Sequence, residues 1–269
     1  MSRFPAEWLA LRERYDVAAR NPDVLDAVTL SLNAHPSVHV LDLACGSGST
    51  VRTLHSRFPT RQHWDLVDND LDLLTLARNA IREDDITLNT VRLDLNRDLE
   101  TVLDDRIDLI TISALLDLVS QAWLERFLGE VGARTLPVYA ALTYNGRIDL
   151  LPADPLDAAT IAAVNAHQGT DKGFGLALGP SAADAAIAGF KRLGYSVVSG
   201  ASDWVISPDD RAMQAELLNR WASAARETGT LRETDIDDWL ARRGAMVAAG
   251  RSSMRVGHVD VFAFPSSTR

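Results

Sequence analysis

Residues 38–50 read VHVLDLACGSGST. The stretch begins as a short apolar run, which is typical of a buried parallel strand, and then breaks into a loop of small residues. Apolar residues recur after it at helical spacing, at Val51, Leu54 and Phe58. A strand, a glycine loop and a helix in this order place backbone N–H groups and a helix N-terminus against a ligand. The stretch therefore predicts an α/β protein with a ligand at this loop.

The details of the loop distinguish between ligands. The dinucleotide fingerprint G-x-G-x-x-G would require a third glycine at position 51, where Val51 stands, and the Gly-Lys-Ser/Thr of a P-loop is absent. Asp42 stands at the end of the strand, where its carboxylate would repel a pyrophosphate. The same charge suits a ligand that carries an ammonium and a sulfonium group.

Residues 42–48 resemble the first motif of the class I S-adenosylmethionine (SAM) methyltransferases, with Ala44 where that motif usually has glycine. The resemblance implies SAM as the cofactor and transfer of its methyl group as the activity. It also implies a doubly wound, Rossmann-like sheet of seven strands, mostly parallel with an antiparallel last strand. Helical additions at both ends of the chain complete this predicted fold.

A second acidic residue strengthens the interpretation. Residues 64–68 read as the second strand, and Asp68 at its end lies twenty residues past Gly48. An acid in that place can accept hydrogen bonds from both ribose hydroxyls of an adenosine cofactor. Alternatively, Asp68 caps the next helix together with its neighbours, and we expect Asp70 to act as the cap in either case.

Two further strands complete the predicted cofactor site. Residues 87–93 form the third strand, and the resemblance implies that the following Asp94 binds the adenine amino group, although it could instead satisfy loop backbone. Residues 107–113 form the fourth, and the loop after it should lie near the transferable methyl group. The predicted cofactor contacts are Asp42, Ala44, Cys45, Gly46, Gly48, Asp68, Asn69, Asp94, Leu95, Ser113 and Ala114.

Composition narrows the classes of partner. The 269 residues carry a formal net charge of −10 and no basic run, which argues against a nucleic acid partner. No apolar run of eighteen residues and no leader pattern occurs, so we expect a cytoplasmic protein with no membrane partner. Cys45 is the single cysteine, which excludes an intramolecular disulfide. The histidines lack metal-ligand spacing on a helix, and Pro36 separates His35 from His39, so no metal site is predicted.

The regular alternation of strand and helix sets the predicted domain organisation. We expect a helical cap over residues 1–35 and a SAM-binding methyltransferase domain over residues 36–269. Helical insertions should lie at about 150–180 and 207–250, the second of them between the last two strands. Those strands are predicted at 195–198, continuing through 204–206, and at 256–264.

The predicted acceptor contacts come from segments outside the regular alternation. Asn145-Gly146 should form a sharp turn after the fifth strand, and residues 168–175 either shape a pocket or form a solvated connection. Residues 14–16 either cover the cofactor or pack against the sheet edge. The candidate substrate contacts are Tyr15, Asn145, His167, Asp171 and Lys172.

Methyl transfer requires little from side chains, because it is an in-line displacement that depends mainly on positioning. A base is needed only for nucleophiles that carry an acidic proton, so no catalytic residue is predicted. The Asn-Pro-Pro-aromatic signature of amino-group nucleic acid methyltransferases is missing after the fourth strand, which favours a small-molecule acceptor. Two alternatives remain: a SAM-binding regulatory protein without transferase activity, and a nucleotide-dependent oxidoreductase, which Asp42 and Val51 disfavour.

Overall fold

A computed structural model describes residues 5–81, 85–104 and 106–266 of the chain. Within these residues one mixed sheet has the strand order β3-β2-β1-β4-β5-β8-β6, and the short β7 pairs with β8. Its strands are β1 (Ser37–Leu43), β2 (Arg61–Asp68), β3 (Ile86–Arg92), β4 (Leu109–Ser113), β5 (Val138–Leu151), β6 (Tyr195–Ala201), β7 (Trp204–Ile206) and β8 (Ser253–Pro265).

Helices cover both faces of the sheet and extend beyond one end of it. The described α-helices are α1 (Ala6–Ala19), α2 (Pro22–Leu32), α3 (Ser49–Leu54), α4 (Leu71–Ala80), α5 (Leu95–Asp98), α6 (Gln121–Arg134), α7 (Asp157–Gln168), α8 (Ala182–Arg192), α9 (Arg211–Thr228) and α10 (Glu233–Ala248). None of the helices in the described part of the chain is long and apolar enough to cross a bilayer.

The parallel half of the sheet is apolar on both faces, as expected for strands that helices cover. On β1, Leu41 and Leu43 belong to one buried cluster, while Val38 and Val40 belong to another on the opposite face. β1 pairs in parallel with both β2 and β4, which places the ends of these three strands at one edge. The predicted doubly wound fold is confirmed.

The antiparallel end of the sheet is more elaborate than predicted. β8 runs antiparallel to β5, β6 and β7, so the described strands number eight rather than seven. The predicted sharp turn at Asn145-Gly146 is wrong, because β5 continues through it to Leu151. Instead, the register of β5 against β8 shifts between Tyr144 and Ile148, and Gly146 takes a φ of +87° in that irregularity.

Side chains cap three of the helices at their N-termini. The side chains of Asn21, Asp70 and Ser120 accept backbone hydrogen bonds in the first turns of α2, α4 and α6, at 3.1, 3.0 and 3.2 Å respectively. These contacts satisfy N–H groups that have no partner within the helix. At the start of α8, by contrast, the Ser181 hydroxyl donates to the Leu178 carbonyl at 2.7 Å.

A second layer of structure comes from helices outside the parallel half. An apolar cluster joins α1, α7, α9 and α10 to β7 and to the extended parts of β5 and β8. Ion pairs tie α10 to the start of α7, where Asp157 bonds Arg243 and Trp239. These helices fall within the ranges predicted as a cap and as insertions, and the division into domains stays a prediction.

Candidate functional site

A cleft of about 1020 Å³ opens at the carboxyl ends of β1, β2 and β4. This is the edge at which open α/β sheets bind ligands. Residues from the predicted cofactor site that line the cleft are Ala44, Cys45, Gly46, Asp68, Asn69, Leu95, Ser113 and Ala114.

The loops that leave β1 and β4 share an unusual backbone conformation. Ala44 and Ala114 have φ values of 55° and 52°, in the left-handed region that L-residues rarely adopt. Gly46, two residues after Ala44, has a φ of 54°. A left-handed conformation costs about 1–2 kcal/mol for a residue with a Cβ, and such strain concentrates at functional sites. It also explains why the related motif usually has glycine where Ala44 stands.

Asp68 holds the glycine loop against the end of β2. Its Oδ2 accepts the Gly46 N–H at 2.9 Å, and its Oδ1 accepts the Asp70 N–H at the same distance. Burial raises the pKa of Asp68, and these backbone N–H groups oppose the increase. A carboxylate offers about four acceptor sites, so Asp68 can accept further hydrogen bonds from a ligand in the cleft.

The structure corrects the expected position of Asp42, which is fully buried in the sheet and does not line the cleft. Asp42 is the register partner of Thr111 on β4, and its Oδ1 accepts the Thr111 hydroxyl at 2.7 Å. Burial raises the pKa of Asp42 to about 7, against the lowering effect of that hydrogen bond. Asp42 therefore lies beneath the loop and does not contact the cleft directly.

Gly48 and Asp94 also lie away from the cleft lining. Gly48 has a φ of +80° and packs against α4, where an added Cβ would lie 3.0 Å from the Ala77 Cβ. Asp94 caps α5 by accepting the Asn96 N–H at 3.0 Å, and its second oxygen lies 3.3 Å from Arg97 Nε. These contacts match the alternative in which Asp94 satisfies loop backbone.

A buried network that sequence analysis missed supports Ser113. Arg20 donates to the Ser113 hydroxyl at 3.1 Å and to the Tyr139 hydroxyl at 3.3 Å. Tyr139 in turn donates to Asp260 at 3.0 Å. No local pattern marks Arg20, because its partners lie on β4, β5 and β8. Cys45 is buried beside the same cleft, and burial raises the pKa of its thiol well above the ordinary value.

The first helix contributes side chains to the cleft, and one of them, Asp16, lies in the segment 14–16 that was predicted either to cover the cofactor or to pack against the sheet edge. Leu9, Arg12 and Asp16 of α1 line the cleft, whereas Tyr15 donates a hydrogen bond to Asp210 at 2.8 Å. Arg12 Nε donates to Asp16 Oδ2 at 2.8 Å. The spacing of four residues between Arg12 and Asp16 was the available signal, since such pairs share one helix face.

A second chamber of about 1290 Å³ adjoins the cleft. Arg12, Ala114, Leu118 and Lys172 border both spaces. Much of its remaining wall is aromatic and comes from helices α1 and α9 and from strands β5, β7 and β8. The two spaces together provide a site for one ligand beside another.

The predicted substrate contacts divide into two groups. His167 and Lys172 line the second chamber, and Lys172 Nζ lies 3.3 Å from His167 Nδ1. Burial lowers the pKa of Lys172, and Glu227 opposes this effect. Tyr15 and Asn145 line neither space, and the Asn145 side chain accepts the Arg147 N–H at 3.1 Å.

Asp171 shapes the loop that closes the cleft, although it does not line the cleft itself. Its Oδ1 accepts the N–H groups of Gly173 at 2.7 Å and Gly175 at 3.0 Å. The resulting turn presents Phe174 and Lys172 to the cleft. The segment predicted either to shape a pocket or to connect helices thus borders the site.

Three potential metal ligands lie together at mid-sheet, outside the cleft. His39 on β1 and His63 on β2 are register partners, and both contact Asp65, at 2.7 and 3.3 Å. Their ligand atoms all lie within 4.8 Å of one another, so the group could hold a metal ion. Spacing along a single helix could not reveal this group, because strand pairing assembles it.

Residues 40–137 match the family model described as a methyltransferase domain. This part of the chain is similar to methyltransferase domains. The match confirms the predicted family resemblance for this part of the chain, which contains β1, β2, β3, β4 and the loops between them. Among curated proteins none matches the sequence.

Solved structures share the fold at low sequence identity. A cyclopropane-fatty-acyl-phospholipid synthase-like protein from Lactobacillus casei is 15% identical with a TM-score of 0.50, over 97% of this chain and 94% of that one. A SAM-dependent methyltransferase from Geobacter sulfurreducens, in complex with S-adenosyl-L-homocysteine, is 17% identical with a TM-score of 0.46, over 99% of this chain and 100% of that one. A second, from Thiobacillus denitrificans with the same ligand, is 16% identical with a TM-score of 0.45, over 97% and 99%.

The methyltransferase domain contains every predicted cofactor residue, from Asp42 to Ala114. The second chamber is built differently. Only Ala114, Asp117 and Leu118 of its lining residues lie within the domain, and the others come from segments before and after it.

Proposed function

We propose that the chain is a SAM-dependent methyltransferase that transfers a methyl group to a small-molecule acceptor. One observation carries this proposal: the strained glycine loop, Asp68 and the loop after β4 meet in one cleft of the methyltransferase domain.

The residues of the cleft fit such a cofactor. Gly46 lets the backbone approach a ligand closely, because it carries no side chain, and its φ of +54° suits glycine. Asp68 accepts the Gly46 and Asp70 N–H groups, and a carboxylate has further acceptor sites that suit ribose hydroxyls. Leu73 and Leu95 supply apolar surface in the same cleft, which suits a flat adenine ring.

The electrostatics of the cleft favour a cationic ligand. Asp68 and Asp70 line it against the single lysine Lys172, and Asp42 lies beneath the loop. Arg12 and Asp16, which also line it, neutralise each other through their hydrogen bonds. When bound, SAM would supply an electrophilic methyl group on a sulfonium. The chain's own residues then orient this group and exclude water from it.

The second chamber supports a small molecule as the acceptor. It adjoins the cleft through Ala114 and Leu118, and side chains of α1, α7 and α9 contribute to its walls. The net charge of −10 opposes binding of a nucleic acid.

Two measurements test the proposal. Isothermal titration should show that SAM and S-adenosylhomocysteine bind with dissociation constants below 1 mM, and failure of both to bind would refute the assignment. Transfer of label from methyl-labelled SAM into a metabolite extract then distinguishes an enzyme from a SAM-binding protein without transferase activity. An enzyme labels at least one compound, and heat-denatured protein labels none.

A further inference from the structure

We propose that the second chamber selects an aromatic acceptor whose hydroxyl or N–H group donates a hydrogen bond to Asp117. This inference rests on the proposed methyltransferase function and identifies the class of its acceptor.

Asp117 lies at the junction of the two spaces. It follows β4 in a short 3-10 turn, Leu116–Leu118, and lines the second chamber. Ala114 and Leu118, on either side of it in sequence, border both the chamber and the cofactor cleft. A group bound to Asp117 therefore sits close to the place where the methyl donor is expected.

The carboxylate of Asp117 has an acceptor atom without a partner. Asp117 is 6% exposed, and its Oδ1 makes no hydrogen bond to any residue that the structure describes. Buried acceptors are normally satisfied, because leaving one unpaired costs about 1–3 kcal/mol. Asp117 lines the chamber, so a ligand that donates a hydrogen bond to its carboxylate would offset this cost. Burial raises the pKa of Asp117 to about 6, so the group is mainly ionised, and a strong acceptor, at neutral pH.

Aromatic rings form a continuous wall of the chamber. Trp8 and Trp204 meet edge to face with centroids 6.2 Å apart, and His258 lies 4.8 Å from Trp204 and 6.1 Å from Tyr144. Trp221 also lines the space. Flat aromatic ligands gain both apolar burial and ring contacts against such a wall.

Two of the cations around the chamber are paired with acids. Arg12 Nε donates to Asp16 and Arg220 Nε donates to Glu216, while Lys172 lines the chamber together with the acids Asp117 and Glu227. Burial, reinforced by the charge of Arg12, lowers the pKa of His258 to about 3, so this ring is neutral and adds no charge to the aromatic wall.

The test uses pairs of probes in which a methyl group replaces the donor hydrogen. Binding of 4-cresol and 4-methylanisole, and of indole and N-methylindole, is measured by ligand-observed NMR with S-adenosylhomocysteine present. We expect each donor to bind at least tenfold more tightly than its methylated partner. Cyclohexanol, which lacks an aromatic ring, should bind at least tenfold more weakly than 4-cresol.

Three variants test whether this preference arises in the chamber. Asp117→Leu should bind the members of each pair within twofold of one another, whereas Glu227→Gln, at the exposed edge, should keep the preference. Trp221→Leu should weaken all aromatic probes several-fold and keep the preference, so the inference stays testable if Asp117→Leu does not fold. Equal binding within each pair in the wild type, or an unchanged preference in Asp117→Leu, would overturn the inference. Titration of S-adenosylhomocysteine into the same samples separates this failure from failure of the proposed function.

Discussion

The carboxylate of Asp68 accepts a hydrogen bond from the Gly46 N–H at 2.9 Å, and so joins the end of β2 to the glycine loop after β1. The two residues are 22 positions apart in sequence. This contact makes the loop and the acid one unit, so a change at either residue should affect the same ligand.

Replacement of Asp68 tests this unit. We expect Asp68→Ala to weaken SAM binding by about 1–3 kcal/mol, because hydrogen bonds to a charged group are lost and the loop loses its anchor. Isothermal titration measures the effect. Asp98→Ala removes an exposed acid of α5 and should leave the affinity within twofold. Equal affinities of wild type and Asp68→Ala would show that the ribose lies elsewhere.

A side chain at Gly46 should abolish cofactor binding. We expect Gly46→Val to reduce SAM affinity at least 100-fold, because a β-branched residue is strained at a φ of +54° and its side chain would enter the cleft. Gly229→Val is the matched control. Gly229 has a φ of +63° and no described neighbour within 4 Å of an added Cβ, so this variant has similar strain far from the cleft. Normal binding by Gly46→Val would mean that the ligand is wrongly placed.

The strain at Ala44 predicts an unusual response to glycine. We expect Ala44→Gly to stabilise the protein by up to about 1 kcal/mol, because relief of the left-handed strain exceeds the entropy that glycine adds to the unfolded chain. Ala215→Gly, at an exposed position within α9, should destabilise it by about 1 kcal/mol. Urea denaturation gives both values, and destabilisation by Ala44→Gly would argue against strain at this position.

The buried Asp42 predicts a pH-dependent effect on stability. Its pKa of about 7 in the folded state lies above the ordinary value near 3.9, so between these pH values the folded state holds a proton that the unfolded state releases. The contribution of Asp42 to the free energy of unfolding therefore falls as pH rises from about 4 to 7.

Asp42→Asn removes this titration. The free energy of unfolding of the variant minus that of wild type should increase between pH 4 and 7, by on the order of 1–4 kcal/mol, and level off above it. In this difference, the contributions of other groups that titrate in the same range, such as His258, cancel. Urea denaturation from pH 4.5 to 8 measures it, and a difference that does not vary with pH would contradict the prediction.

Short stretches of the sequence were enough to predict the fold of the protein. The apolar run and small-residue loop at residues 38–50, together with the second acid at Asp68, were enough to predict a doubly wound sheet and a methyltransferase resemblance. The predicted cap Asp70 stands at the start of the helix that begins at Leu71. Such features depend on contacts within a few residues, which a single sequence displays directly.

Only the tertiary structure decided where the side chains of the site point. Asp42 lies inside the sheet because β1 pairs with β4 and brings Thr111 opposite it, 69 positions away in sequence. The second chamber likewise joins residues from Trp8 to His258. The sequence by itself determined the fold and the cofactor loop, since both rest on local hydrophobic and turn patterns. Only the packed structure shows where the Asp42 side chain points, that Asp117 Oδ1 has no partner among the described residues, and that aromatic rings form one wall. Strand pairing and helix docking between distant segments create these features.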